Sequence, residues 1–146
     1  MKSKLTLVFA IAAISTLLFA CSPASALISV EVSCDDFYQQ EHISKEVQVA
    51  VGDSFTVALC SNPSTGFQWS ETAQISDETV LRQTDHEFVA PQGSGCAAPA
   101  AGAPGQEIWT FEALGEGTCS VSMEYSRPWE GGESGVWTFN LTAVVV

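Results

Sequence analysis

The sequence predicts an all-β fold, an immunoglobulin-like antiparallel β-sandwich of seven to eight strands. Three observations predict it. Apolar and polar residues alternate over short runs, as in Ile28-Ser29-Val30-Glu31-Val32 and Val47-Gln48-Val49-Ala50-Val51. Turn residues interrupt these runs at regular spacing. No 3.6-residue period outlasts a single turn, so no helical layer is available to cover a sheet.

The chain of 146 residues opens with a segment outside that pattern. Lys2 and Lys4 precede Leu5 to Ala20, a run of 16 residues without charge. That is long for the core of an export signal and short for a membrane span. Two cleavage signals follow. Leu18-Phe19-Ala20-Cys21 resembles a bacterial lipobox, which would make residues 1–21 a signal peptide ending at a lipidated Cys21. Ala24-Ser25-Ala26 fits ordinary secretion, which would remove residues 1–26. The expectation is an exported protein, either anchored to a membrane through lipid on Cys21 or secreted, with one domain over 27–146. Without Lys2 and Lys4, the three cations Lys45, Arg82 and Arg127 face 17 acidic residues, a net charge of −14. That charge repels nucleic acid and anionic lipid, so neither is expected as a partner.

The elements follow in order. Residues 28–33 read as a half-buried strand and 34–44 as a polar loop. Residues 47–51 are a second strand, stopped by Gly52-Asp53, and Phe55-Thr56-Val57-Ala58-Leu59 is a third. Asn62-Pro63-Ser64-Thr65-Gly66-Phe67 comes next. Pro63 fixes its own φ and disfavours helix at Asn62, and Gly66 permits a left-handed backbone. The result is a stiff loop with two hydroxyls near its tip. Phe67-Gln68-Trp69-Ser70 is a short strand, 76–81 reads as a turn of helix or an edge strand, and 86–89 is a strand. Residues 91–105 are rich in glycine, alanine and proline and form a long loop. Residues 107–112 and 118–125 are strands joined as a hairpin through Gly115-Glu116-Gly117. After Arg127-Pro128-Trp129-Glu130-Gly131-Gly132 the last strand covers 136–146.

In an immunoglobulin-like order, alternate loops share an end. The loops near 62–67, 91–105 and 127–132 are then neighbours. Cys34 and Cys60 both end strands that rise toward that end. Their pairing, with Cys96 bonded to Cys119, is preferred over Cys60–Cys96 with Cys34–Cys119. No Cys-x-x-Cys pair suggests zinc.

No catalytic set can be assembled. His42 lies in a polar loop. Asp85-His86-Glu87 alternates faces along a strand and does not converge on a metal, so both histidines read as surface decoration. No glycine-rich phosphate loop opens a helix. No enzyme activity, metal or cofactor is expected. Arg127-Pro128-Trp129 is different. Its flexible, polar continuation buries a tryptophan poorly, and exposed Trp and Arg are residue types favoured at binding hot spots.

These motifs resemble a known family. Asn62-Pro63-Ser64-Thr65-Gly66-Phe67 is similar to the N-P-T-T-G-[FY] loop of the chagasin-like inhibitors of cysteine peptidases. Arg127-Pro128-Trp129 resembles that family's R-P-W loop, and Gly102-Ala103-Pro104-Gly105 its glycine-containing middle loop. The resemblance runs in order from about residue 45 to the end. It implies an immunoglobulin-like sandwich and reversible, non-covalent inhibition of papain-like cysteine peptidases by three loops wedged into the catalytic cleft. The residues it implicates are Asn62, Pro63, Ser64, Thr65, Gly66, Phe67, Gly102, Pro104, Gly105, Arg127, Pro128 and Trp129, in a monomer. The chain departs from the family at Ser64, which stands in place of threonine, and at 92–101, which are extra. The alternative is an exported binding module that uses the same loops on another ligand or an envelope partner.

Overall fold

The structure, a computed structural model, describes residues 27–92 and 98–146. The export segment, with Cys21, and Cys96 lie outside the described residues. The strands are β1 (Ile28–Val32), β2 (His42–Val49), β3 (Ser54–Ser61), β4 (Gln68–Trp69), β5 (Gln74–Ile75), β6 (Leu81–Val89), β7 (Gly105–Ala113), β8 (Gly117–Ser126) and β9 (Trp137–Val145). They form two facing sheets, ordered β1-β3-β7-β6 and β2-β9-β8-β4, with β5 also paired to β8. The expected sandwich is present, but its sheets are mixed. β1 runs parallel to β3, and β2 parallel to β9.

A short helix is the reason. Residues 34–44, expected as a loop, contain α1 (Cys34–Gln39), and β2 already begins at His42. Ser33 caps the helix, accepting a hydrogen bond from the Asp36 amide at 3.1 Å. Phe37 then turns inward and packs on Trp69, Tyr125 and Trp137. Because α1 carries the chain from the edge of one sheet to the edge of the other, β1 and β2 each join a strand that already runs their way.

A second difference concerns Gly115-Glu116-Gly117. β7 and β8 lie in opposite sheets, so this turn is a crossover and not a hairpin. The amide of Leu114 donates to the carbonyl of Val80 at 2.8 Å, which fixes the crossing against the start of β6. Residues 76–81 are not helical, and only Leu81 belongs to an edge strand, as the first residue of β6. The others form a turn.

Burial alternates strictly along β7, whereas most of β3 is buried on both faces. On β7 the inward residues are Gly105, Glu107, Trp109, Phe111 and Ala113. Trp109, Phe111 and Ala113 share one apolar cluster with Val121, Met123 and Tyr125 of β8 and Phe139 and Leu141 of β9. Each such large side chain contributes about 1.5–3 kcal/mol of apolar burial. The Cys34–Cys60 bridge is present, with a Cα–Cα distance of 4.9 Å, and joins the start of α1 to the end of β3. The companion pairing of Cys96 with Cys119 involves a residue outside the described ones; among those described, Cys119 is a buried thiol without a disulfide, and its neighbour is the Ser76 hydroxyl.

Candidate functional site

Strand directions bring three loops to one end. β3, β6 and β8 rise toward it, and the chain leaves each of them through 62–67, 90–104 and 127–136 respectively. The second is the hairpin loop of one sheet and the third the hairpin loop of the other. The first crosses between the sheets and so lies in the middle.

The central loop is locked by its own side chains. Pro63–Thr65 form one turn of 3-10 helix. The Asn62 side-chain oxygen accepts from the Ser64 amide at 3.3 Å and from the Ser64 hydroxyl at 2.6 Å. The Thr65 hydroxyl donates to the Asn62 carbonyl at 2.7 Å, and the Gly66 amide to the Pro63 carbonyl at 3.0 Å. The two hydroxyls expected at the tip are therefore also internal struts. Pro63, Ser64 and Thr65 remain exposed. Below them, the Asn62 amide donates to the Tyr125 hydroxyl at 2.9 Å, and Phe67 is buried against Tyr125 and Trp137. Phe67 is an anchor for the loop and not part of its outer face.

Two contacts join the flanking loops to the centre. The Asn62 side-chain amide donates to the Gly102 carbonyl at 3.0 Å. On the other side the Trp129 ring lies over Gly66. A Cβ on Gly66 would stand 2.5 Å from Trp129 Cη2, and the φ there is +82°. Glycine is thus required both by backbone conformation and by the indole. Trp129 is still 53% exposed, and Pro128 is exposed beside it. Arg127 is only half exposed. Its guanidinium sits 4.4 Å from the centre of the Phe67 ring and pairs with Glu133 at 3.2 Å. It braces the two loops. Gly102 and Pro104 are exposed, whereas Gly105 is buried at the head of β7, where an added Cβ would strike the Val89 carbonyl.

A polar cluster beneath the loops had no place in the sequence reading. Glu107 is 6% exposed and Ser61 fully buried. The Ser61 hydroxyl donates to one Glu107 oxygen at 2.6 Å, and His86 Nε2 lies 2.9 Å from the other. The His86 ring stacks on Trp109. His86 is therefore not surface decoration. His42 is exposed, as expected, and bonds Thr138. One signal was available. Glu107 is in phase with Trp109 and Phe111, so the alternation puts a carboxylate on the core face. Ser, His and Glu are triad residue types, but here the carboxylate stands between hydroxyl and imidazole. The imidazole cannot take the hydroxyl proton, and no activated nucleophile results. Among the described residues no group of three or more potential ligands could hold a metal ion.

The fold and this end define a class. It is a β-sandwich that presents a rigid, three-loop edge built for binding. Comparison with known proteins makes the class specific. Residues 48–143 match the Chagasin family peptidase inhibitor I42, and the chain belongs to that family. It is 26% identical over 123 residues to Amoebiasin-2 of Entamoeba histolytica, covering 77% of this chain and 91% of that protein. It is 30% identical over 93 residues to chagasin of Trypanosoma cruzi, covering 62% and 79%. Among solved structures, the fold is similar to the cysteine protease inhibitor EhICP2 of Entamoeba histolytica, with a TM-score of 0.61, 21% identity and coverage of 86% of this chain and 100% of that one. It is also similar to PbICP-C, solved in complex with falcipain-2, with a TM-score of 0.60, 15% identity and coverage of 82% and 99%. The matched family is one of peptidase inhibitors, not enzymes.

Proposed function

We propose that this protein is a reversible, non-covalent inhibitor of papain-family cysteine peptidases that seats its three-loop edge in the catalytic cleft. The observation that carries the reading is the internal locking of the central loop together with its two ties, to Gly102 and to Trp129. A pre-ordered loop loses little entropy on binding. Its 3-10 turn also keeps the backbone compact, so no extended peptide with a carbonyl placed for thiolate attack is offered. Pro63, Ser64, Thr65 and Gly66 lie over the catalytic cysteine and histidine in this reading. Gly102 and Pro104 flank one side, Pro128 and Trp129 the other. Asn62, Phe67, Gly105 and Arg127 act from behind by holding those residues in place.

Export belongs to the same proposal. Lys2, Lys4 and the apolar run to Ala20 are read as a signal, with lipid on Cys21 or cleavage after Ala26. The Cys34–Cys60 bridge supports an oxidising destination. Mass spectrometry of the mature N-terminus distinguishes the two sites. For inhibition, purified protein is titrated against papain. Competitive inhibition that is relieved on dilution is expected. A correctly folded protein that leaves papain fully active at micromolar concentration would sink the reading.

A further inference from the structure

The inward face of the sandwich changes character as it reaches the loop end. On β3 the inward series is Phe55, Val57, Leu59 and then Ser61; on β7, read from the far end, it is Phe111, Trp109 and then Glu107. The last polar layer lies directly under the central loop, because Ser61 precedes Asn62 and pairs in register with Gly105 at the head of β7. Ser61 and Glu107 are the buried polar residues of the described core. A carboxylate there must be desolvated, and a pair of apolar residues would satisfy the core at least as well. Packing alone does not call for this arrangement.

The network has a direction. Glu107 is held from one side by His86, itself fixed by stacking on Trp109. With its other oxygen it holds the Ser61 hydroxyl. Beside it a hollow of about 210 Å³ opens, lined by Pro63, Trp69, Glu71, His86, Phe88 and Glu107, so this flank of the central loop is not backed by packed side chains. The ties of the loop run to Gly102 and Trp129, so on this flank its seat depends on the residues below it. The hydrogen bond at Ser61 restrains the residue from which the loop departs.

We propose that Glu107 is a positioning residue for the inhibitory edge, acting through Ser61 and held in turn by His86, and that this buried network sets the seat of the 62–66 turn. The proposal rests on the inhibitory reading above. The test separates positioning from stability. Glu107→Gln keeps an acceptor for Ser61 and a polar group for His86. The double variant Ser61→Ala with Glu107→Leu fills the same space without hydrogen bonds. Melting temperature, inhibition of papain at 25 °C and amide hydrogen exchange of residues 62–66 are measured for each. The double variant should keep or raise the melting temperature, weaken inhibition about 10-fold and speed exchange in the loop by a similar factor, whereas Glu107→Gln should stay within about threefold of the unaltered protein. A double variant that inhibits within about threefold, with unchanged loop exchange, overturns the proposal. If the unaltered protein fails to inhibit papain, the functional reading falls, and the exchange comparison still decides this one.

Discussion

The two ends of the sandwich each carry a turn closed by the same chemistry. At the loop end, the Asn62 side-chain oxygen accepts from the amide and the hydroxyl of Ser64. At the opposite end, a carboxylate oxygen of Asp77 accepts from the amide and the hydroxyl of Thr79, at 2.9 and 2.6 Å. Both are side-chain turns that replace a backbone hydrogen bond. The difference is the atom left over. Asn62 has a nitrogen to spare and donates it to Gly102 in another loop. Asp77 has only a second acceptor and no donor to offer another loop. One turn is a junction between loops, the other a local closure between strands. The glycines repeat the lesson. Gly66 and Gly52 both have positive φ, yet a Cβ meets the Trp129 ring at Gly66 and nothing within 4 Å at Gly52.

Substitutions at matched positions of the two ends sharpen this contrast. The largest effect is expected at Gly66. Gly66→Val must displace the indole and strain the backbone, and should weaken papain inhibition by about 100-fold or more. Gly52→Ala carries only the conformational penalty, about 1 kcal/mol of stability, with inhibition unchanged. Equal inhibition by the two variants would break the comparison. Next is Trp129→Ala, which should weaken binding by about 2 kcal/mol or roughly 30-fold, as judged by inhibition constants, without lowering the melting temperature. Arg82→Ala serves as its control. Arg82 forms an exposed pair with Glu112, away from the loops, and its loss should leave inhibition unchanged.

Asn62→Asp comes third. It preserves the turn to Ser64 but sets a carboxylate against the Gly102 carbonyl, and inhibition should weaken about 10-fold. Thr65→Ala removes one strut and should weaken it by about 1 kcal/mol. The smallest effect belongs to Asp77→Asn. Its carboxyl is held below the ordinary aspartate value, first by the Thr79 hydroxyl and then by backbone amides. A depressed carboxylate contributes stability that is present above its unfolded pKa and lost as pH falls through the folded one. Urea titrations at stepwise lower pH should show the asparagine variant losing slightly less stability on acidification, with inhibition at neutral pH unaltered.

Much of the loop end was legible because its signals are local. Pro63, Gly66, Arg127 and Trp129 announce their conformations or their poor burial within a few residues. The helix α1 was not legible. Six residues are too few for propensity to decide, and Phe37 becomes helical because an aromatic pocket waits for it. The crossover at residues 114–116 was also hidden. A Gly-x-Gly turn between two alternating strands is the same in sequence whether the strands pair or part. The buried Glu107 was visible as an exception to its own strand's alternation, but its partners Ser61 and His86 lie on strands far away in sequence.

By itself, the sequence determined the sandwich class and the residues that stiffen the central loop. Those follow from a two-residue period and from the restricted dihedrals of proline and the freedom of glycine. The tertiary structure alone decided which sheet each strand joins, that Cys119 is buried beside Ser76, and that Asn62 ties one loop to another. It also decided that a carboxylate stands at the head of the core. These depend on pairing across long sequence separations, where alternation says which face is buried but not what it is buried against.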